Sequence, residues 1–91
     1  MKENSLKITI QNLKGLHARA TASFVKEAEK FQSDITITNK EGVTVSGKSI
    51  MGILMLGVPL GDEIEIKAVG LDSDEAIESL KNLINNRFGE D

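Results

Sequence analysis

The chain has 91 residues, enough for one modest hydrophobic core and too few for two. It has no cysteine, which excludes disulfides, thiolate zinc sites and thiol chemistry, and its three aromatics are all Phe, so Ile, Leu, Val and Met must build the core. The net charge of −3 argues against a nucleic-acid-binding surface, although it is unevenly spread, with +3 over residues 1–60 and −6 over residues 61–91.

Leu6, Ile8 and Ile10 alternate with Lys7, Thr9 and Gln11, the period of a strand with one buried face. Asn12-Leu13-Lys14-Gly15 interrupts it. From Ala20 the period lengthens, because Ala20, Phe24, Ala28 and Phe31 share one helical face, with Lys26/Glu29 and Glu27/Lys30 spaced for i,i+3 pairing. Ile35 and Ile37 then alternate with Thr36 and Thr38, and Asn39-Lys40-Glu41-Gly42 turns the chain into Val43-Thr44-Val45, giving a β-hairpin. After Ser46-Gly47-Lys48-Ser49 comes Ile50-Met51-Gly52-Ile53-Leu54-Met55-Leu56, too apolar all round for an ordinary surface helix. Either both of its faces are covered, or one is left for a partner.

Ile64 and Ile66 alternate with Glu63, Glu65 and Lys67 in a fourth strand that runs to Gly70. Asp72 then stands as a helix cap with Glu75 in capping-box spacing, and Ile77, Leu80, Leu83, Ile84 and Phe88 form the buried stripe of a last helix whose fraying end is marked by Asn85-Asn86 and Gly89. The order β-α-β-β-α-β-α predicts an α+β fold with a mostly antiparallel sheet and helices on one side, in a single domain over residues 1–91. Pattern leaves the strand order open, and a ferredoxin-like arrangement with an extra terminal helix fits the same string. The amino-terminal stretch has no long apolar run, so neither a signal peptide nor a membrane span is expected, and a cytoplasmic location is the default.

His17 is the sole histidine and falls at the first strand-to-helix junction. The backbone N–H groups of Ala18, Arg19 and Ala20 just beyond it have no acceptor inside a helix and form a natural anion site, to which the Arg19 guanidinium adds a planar fork suited to phosphate oxygens. Such a site would stabilise a phosphoryl group on His17, and in-line transfer depends chiefly on positioning and charge stabilisation. Against this stands the commoner case of a lone histidine before a helix as a solvated cap residue. A metal role has neither a second histidine nor a cysteine to support it, so no metal and no cofactor are expected. Ser49 precedes the apolar helix, where its structural role is N-capping, worth about 1 kcal/mol.

Gly15-Leu16-His17-Ala18-Arg19 followed by the small residues Ala20-Thr21-Ala22, and then Lys48-Ser49-Ile50-Met51-Gly52, resembles the HPr family of histidine phosphocarriers of the bacterial phosphotransferase system. The resemblance covers essentially the whole chain. It implies an open-faced β-sandwich of βαββαβα order, a four-stranded antiparallel sheet in the order 1-4-2-3 and three helices on one face. It implies a stoichiometric carrier and not a turnover enzyme, with His17 accepting phosphate at Nδ1 from a phosphoenolpyruvate-charged enzyme I, Arg19 beside it, and an enzyme IIA domain as the recipient. A monomer is expected. Partner docking falls to Ala18, Arg19, Ala22, Ser23 and Lys26 on one side and to Ile50, Met51, Leu54 and Met55 on the other. In some members the serine corresponding to Ser49 is phosphorylated by HPr kinase/phosphorylase.

One position departs from the commonest family pattern, which has proline where this chain has Ala20. Together with Ile53-Leu54-Met55-Leu56 and the tail Arg87-Phe88-Gly89-Glu90-Asp91, that alanine resembles the nitrogen-type branch, which serves regulation more than sugar uptake. Two other readings stay open from sequence: a regulatory protein acting mainly through Ser49, and an α+β interaction module in which His17 is inert.

Overall fold

The computed structural model describes residues 2–90. Its elements are β1 (Glu3–Thr9), α1 (Ala18–Ala28), β2 (Asp34–Thr38), β3 (Thr44–Ser46), α2 (Ile50–Leu56), β4 (Glu63–Val69) and α3 (Ser73–Asn85), followed by a 3-10 turn at Arg87–Gly89. The strands form one antiparallel sheet in the order β1-β4-β2-β3, so the ferredoxin-like alternative falls away.

The alternation seen in the sequence explains how this sheet assembles. Register places Ile8 opposite Ile64, Leu6 and Ile37 opposite Ile66, and Ile35 opposite Ala68, so the apolar side chains of neighbouring strands share one face. That face lies against Phe24, Val25 and Ala28 of α1, Ile53 and Leu56 of α2, and Ala76, Leu80 and Ile84 of α3 in a single core cluster. Each large side chain fully buried there contributes about 1.5–3 kcal/mol relative to exposure. The opposite face of the sheet is polar and bare, a shallow trough lined by Ser5, Asp34, Thr36, Thr38, Thr44, Glu65 and Lys67 among others.

In α2, Ile53 and Leu56 are buried while Ile50, Met51 and Met55 are exposed, so the two faces of this helix are not both covered. Gly57 ends it in the left-handed conformation, at φ 61°. On α1 the Glu27–Lys30 pair forms at 3.0 Å, but Lys26 and Glu29 make no ion pair among the described residues.

Two expectations for α3 are corrected. Asp72 sits at the N-cap position without a capping bond from its side chain. Its carboxylate reaches instead to the loop after α1, accepting from Gln32 N at 2.8 Å, Ser33 N at 3.0 Å and Ser33 Oγ at 2.5 Å. Three donors there outcompete the single backbone amide a cap would satisfy, and they hold the carboxyl below its ordinary range, the Ser33 hydroxyl most of all. The buried stripe of α3 is Ser73, Ala76, Leu80 and Ile84, with Ile77 and Leu83 only partly buried.

Phe88 does not belong to the α3 stripe. The helix stops at Asn85, Arg87 and Phe88 turn at φ 54° and 56°, and Phe88 packs onto the core from the 3-10 turn. The end expected to fray is folded back onto the start of α1. No helix among the described residues is long and apolar enough to cross a membrane.

Candidate functional site

The site is fixed from beneath by the loop between β1 and α1. Gly15 adopts φ +64°, and a Cβ on it would lie 2.4 Å from Val58 O and 2.8 Å from Pro59 Cα, so only glycine lets the two loops cross this closely. Leu16, buried, donates from its N–H to Val58 O at 2.9 Å and accepts from Thr21 Oγ1 at 3.1 Å. Thr21 is itself buried, so the residue just before His17 is held from both sides. The sequence suggested only that Thr21 was small.

His17 occupies the N-cap position of α1 in extended conformation, with φ −75° and ψ −178°. Its carbonyl accepts from Thr21 N at 2.9 Å, so the N–H groups of Ala18, Arg19 and Ala20 precede the first helical hydrogen bond, as expected for an anion site. The side chain makes no capping bond. Ala18 and Arg19 are exposed, whereas the Ala20 methyl is buried, leaving its backbone as its contribution to the site. Leu13, Lys14, His17, Ala18, Arg19 and Glu90 line a cavity of about 410 Å³.

From sequence Glu90 was named only within the tail Arg87-Phe88-Gly89-Glu90-Asp91, with no role at this site. Its carboxylate oxygens stand 2.9 and 3.2 Å from His17 Nε2, and Oε1 also accepts from Asn12 Nδ2 at 2.9 Å. Asn12 is fully buried and donates with the same nitrogen to Gly15 O at 2.7 Å. The hydrogen bond from His17, followed by that from Asn12, holds the Glu90 carboxyl below its ordinary range, so it is ionised at neutral pH. Glu90 and His17 are 73 residues apart, and no local pattern connects them. The nearest signal was Gly89, which marks a turn but not its direction.

At the start of α2, Ser49 is a working cap whose Oγ accepts from Gly52 N at 3.0 Å. The Lys48 ammonium reaches across to Phe31 O at 2.8 Å, tying the start of α2 to the end of the α1 segment. Along the two helices, Ala22, Lys26, Ile50, Met51 and Met55 are exposed, and Ser23 and Leu54 are half-buried. Met55, at 81 % exposure, and Leu13, at 69 %, are among the most open apolar side chains, and Leu13 had not been anticipated as part of a contact surface.

Comparison with known proteins places this arrangement. The family model described as "PTS HPr component phosphorylation site" matches residues 4–86. The phosphocarrier protein HPr of Xylella fastidiosa (strain Temecula1) is 44 % identical over 84 residues, covering 92 % of this chain and 93 % of that protein. A multiphosphoryl transfer protein of Haemophilus influenzae is 48 % identical over 84 residues, covering 90 % of this chain but only 17 % of that longer protein. The crystal structure of HPr-C-His from Thermoanaerobacter tengcongensis superimposes with a TM-score of 0.91 at 47 % identity, covering 100 % of this chain and 99 % of that one. The chain therefore belongs to the HPr family, the phosphocarrier proteins of the phosphotransferase system, which carry phosphoryl groups and are not turnover enzymes.

Proposed function

We propose that His17 is the phosphate-accepting residue and that Nδ1 is its reacting atom. The observation that carries this reading is the division of the ring: Nε2 is engaged by Glu90, while Nδ1 meets no protein partner among the described residues at the start of α1. In transfer, the Nδ1 lone pair forms the new bond to phosphorus as the donor's bond to phosphorus breaks. The N–H groups of Ala18, Arg19 and Ala20 and the exposed Arg19 guanidinium supply the charge that steadies the phosphoryl oxygens.

Enzyme I charged by phosphoenolpyruvate is the proposed donor and an enzyme IIA domain the acceptor. Both dock over α1 and α2, where Ala22, Ser23 and Lys26 flank the adaptable apolar surface of Ile50, Met51, Leu54 and Met55. The chain acts as one domain over residues 1–91, cytoplasmic and monomeric, with no metal or cofactor. Ser49 is proposed as a second, regulatory input for HPr kinase/phosphorylase, supported by its place beside exposed Ile50 and Met51, where an added phosphate would change docking.

Incubation with enzyme I and labelled phosphoenolpyruvate tests the main reading. The expected product is an acid-labile, base-stable label on the wild-type chain that disappears in His17→Ala. Label retained by that variant refutes the assignment.

A further inference from the structure

The loop that brings His17 to α1 carries a cation that the fold itself does not use. Residues Asn12 to Gly15 make a tight turn closed twice, by Gly15 N donating to Asn12 O at 3.1 Å and by Asn12 Nδ2 donating to Gly15 O at 2.7 Å. Asn12 is fully buried and Gly15 is pressed against Val58 and Pro59, so the backbone of Leu13 and Lys14 at the tip of the turn has a fixed place. That place is the rim of the cavity at His17. The Lys14 side chain is exposed and makes neither an ion pair nor a hydrogen bond among the described residues. A lysine without a partner is ordinary on a protein surface, and Lys7, Lys26 and Lys81 are equally free among the described residues. None of those three lines this cavity, and Lys14 does.

We infer that Lys14 is a phosphate-binding residue for His17, its ammonium closing on the phosphoryl oxygens from the loop while Arg19 and the first N–H groups of α1 hold them from the helix. The inference rests on the assignment of His17 as the acceptor, and it adds a second cation to that site. Besides His17, the titratable side chains lining the cavity are Lys14, Arg19 and Glu90. The Glu90 carboxyl is held low by His17 first, then by Asn12, and last by the charge of Arg19, so part of the Arg19 field is already set against a carboxylate. Lys14 has no such counter-charge. A phosphoryl group on Nδ1 brings close to two negative charges, more than Arg19 alone can match. As the Nδ1 lone pair bonds to phosphorus, the donor's bond breaks and its electron pair leaves with the donor; on passage to the acceptor the N–P bond breaks and the pair returns to Nδ1. The hydrogen on the second ring nitrogen stays in place, and Lys14 remains protonated throughout. A compact charge on a flexible stem can follow the phosphoryl group through both steps.

The test uses the full chain as wild type, Lys14→Gln and Lys14→Arg, with folding checked by amide spectra. Each is phosphorylated with enzyme I and phosphoenolpyruvate, and ³¹P spectra follow the phosphohistidine signal as pH is varied. An ammonium beside the phosphoryl group favours its dianion, so Lys14→Gln should raise the phosphoryl pKa by about half a unit, a change that shrinks with added salt. In the same variant the equilibrium between phosphorylated enzyme I and the chain should move by about threefold or more toward phosphorylated enzyme I. Lys14→Arg keeps the charge and should keep both values near wild type. An unchanged phosphoryl pKa and equilibrium in Lys14→Gln overturn the proposal, and a raised KM for enzyme I alongside them would make Lys14 a docking contact instead. Those outcomes leave His17 as the acceptor, whereas a wild-type chain that takes no phosphoryl group from enzyme I overturns both readings.

Discussion

Each of the three α-helices among the described residues begins on a polar side chain, and at α1 and α2 those side chains are used in opposite ways. Ser49 turns inward and accepts from Gly52 N, as a cap does, whereas His17 makes no bond to the helix it precedes and is met by Glu90 from the far end of the chain. Both helix starts offer unpaired backbone amides. Ser49 is oriented by its own helix; His17, at the same position, is not. The contrast teaches that a helix end can supply the charge of a proposed phosphate site, while the orientation of the side chain proposed to carry the phosphate comes from elsewhere in the fold.

Substitutions can break or sharpen that contrast. The largest expected effect is on transfer, since His17→Ala should abolish phosphate acceptance while changing the urea unfolding free energy by only about 0.5 kcal/mol or less, as the ring caps nothing. A much larger loss of stability would mean that His17, like Ser49, holds its helix together. Gly15→Ala puts a methyl against Val58 O in a left-handed conformation and should cost on the order of 3 kcal/mol, with amide shift changes concentrated at Leu16 and Thr21. Ser49→Ala removes a working cap and should cost about 1 kcal/mol in the same urea measurement; a loss no greater than that of His17→Ala would erase the difference between the two positions.

The smallest effect concerns the other helix start, at Asp72, whose carboxylate binds the loop after α1. Its folded-state pKa lies below the ordinary 3.8, so its stabilising contribution is complete above that value and is lost as pH falls through the folded one. Urea unfolding followed from neutral pH to below 3.8 should therefore show a shallower decline in Asp72→Asn than in wild type. Parallel declines would show that the Gln32–Ser33 contact adds nothing beyond a solvated carboxylate.

What could be read in the sequence was what local periodicity controls. The period-two runs at Leu6–Ile10, Ile35–Thr38 and Ile64–Lys67 and the stripe through Ala20, Phe24 and Ala28 became strands and a helix because burial of one face is decided within a few residues. The strand order was not decided there, since four half-polar strands look alike to one another, and it came from the family resemblance. His17 was legible as the only histidine at a strand-to-helix junction. Glu90 was not, because its approach depends on Arg87 and Phe88 taking left-handed conformations that sequence rules assign to glycine or asparagine. Asp72 illustrates the same limit. Its spacing to Glu75 suits a capping box, yet a better set of donors waits 39 and 40 residues earlier in the chain.

The place of β4 between β1 and β2 has a consequence for how the molecule folds. Among the described residues β1 has no strand neighbour other than β4, so this strand cannot join the β2–β3 hairpin until residues 63–69 arrive. Pairings this distant along the chain carry a loop-closure cost before any contact rewards it. The bonds from Leu16 to Val58 and from Ile10 to Asp62 join the loop that presents His17 to the segment that leads into β4. Ordering of the proposed phosphate site is therefore coupled to the closing step of the sheet, and a partly folded chain would present His17 without its geometry.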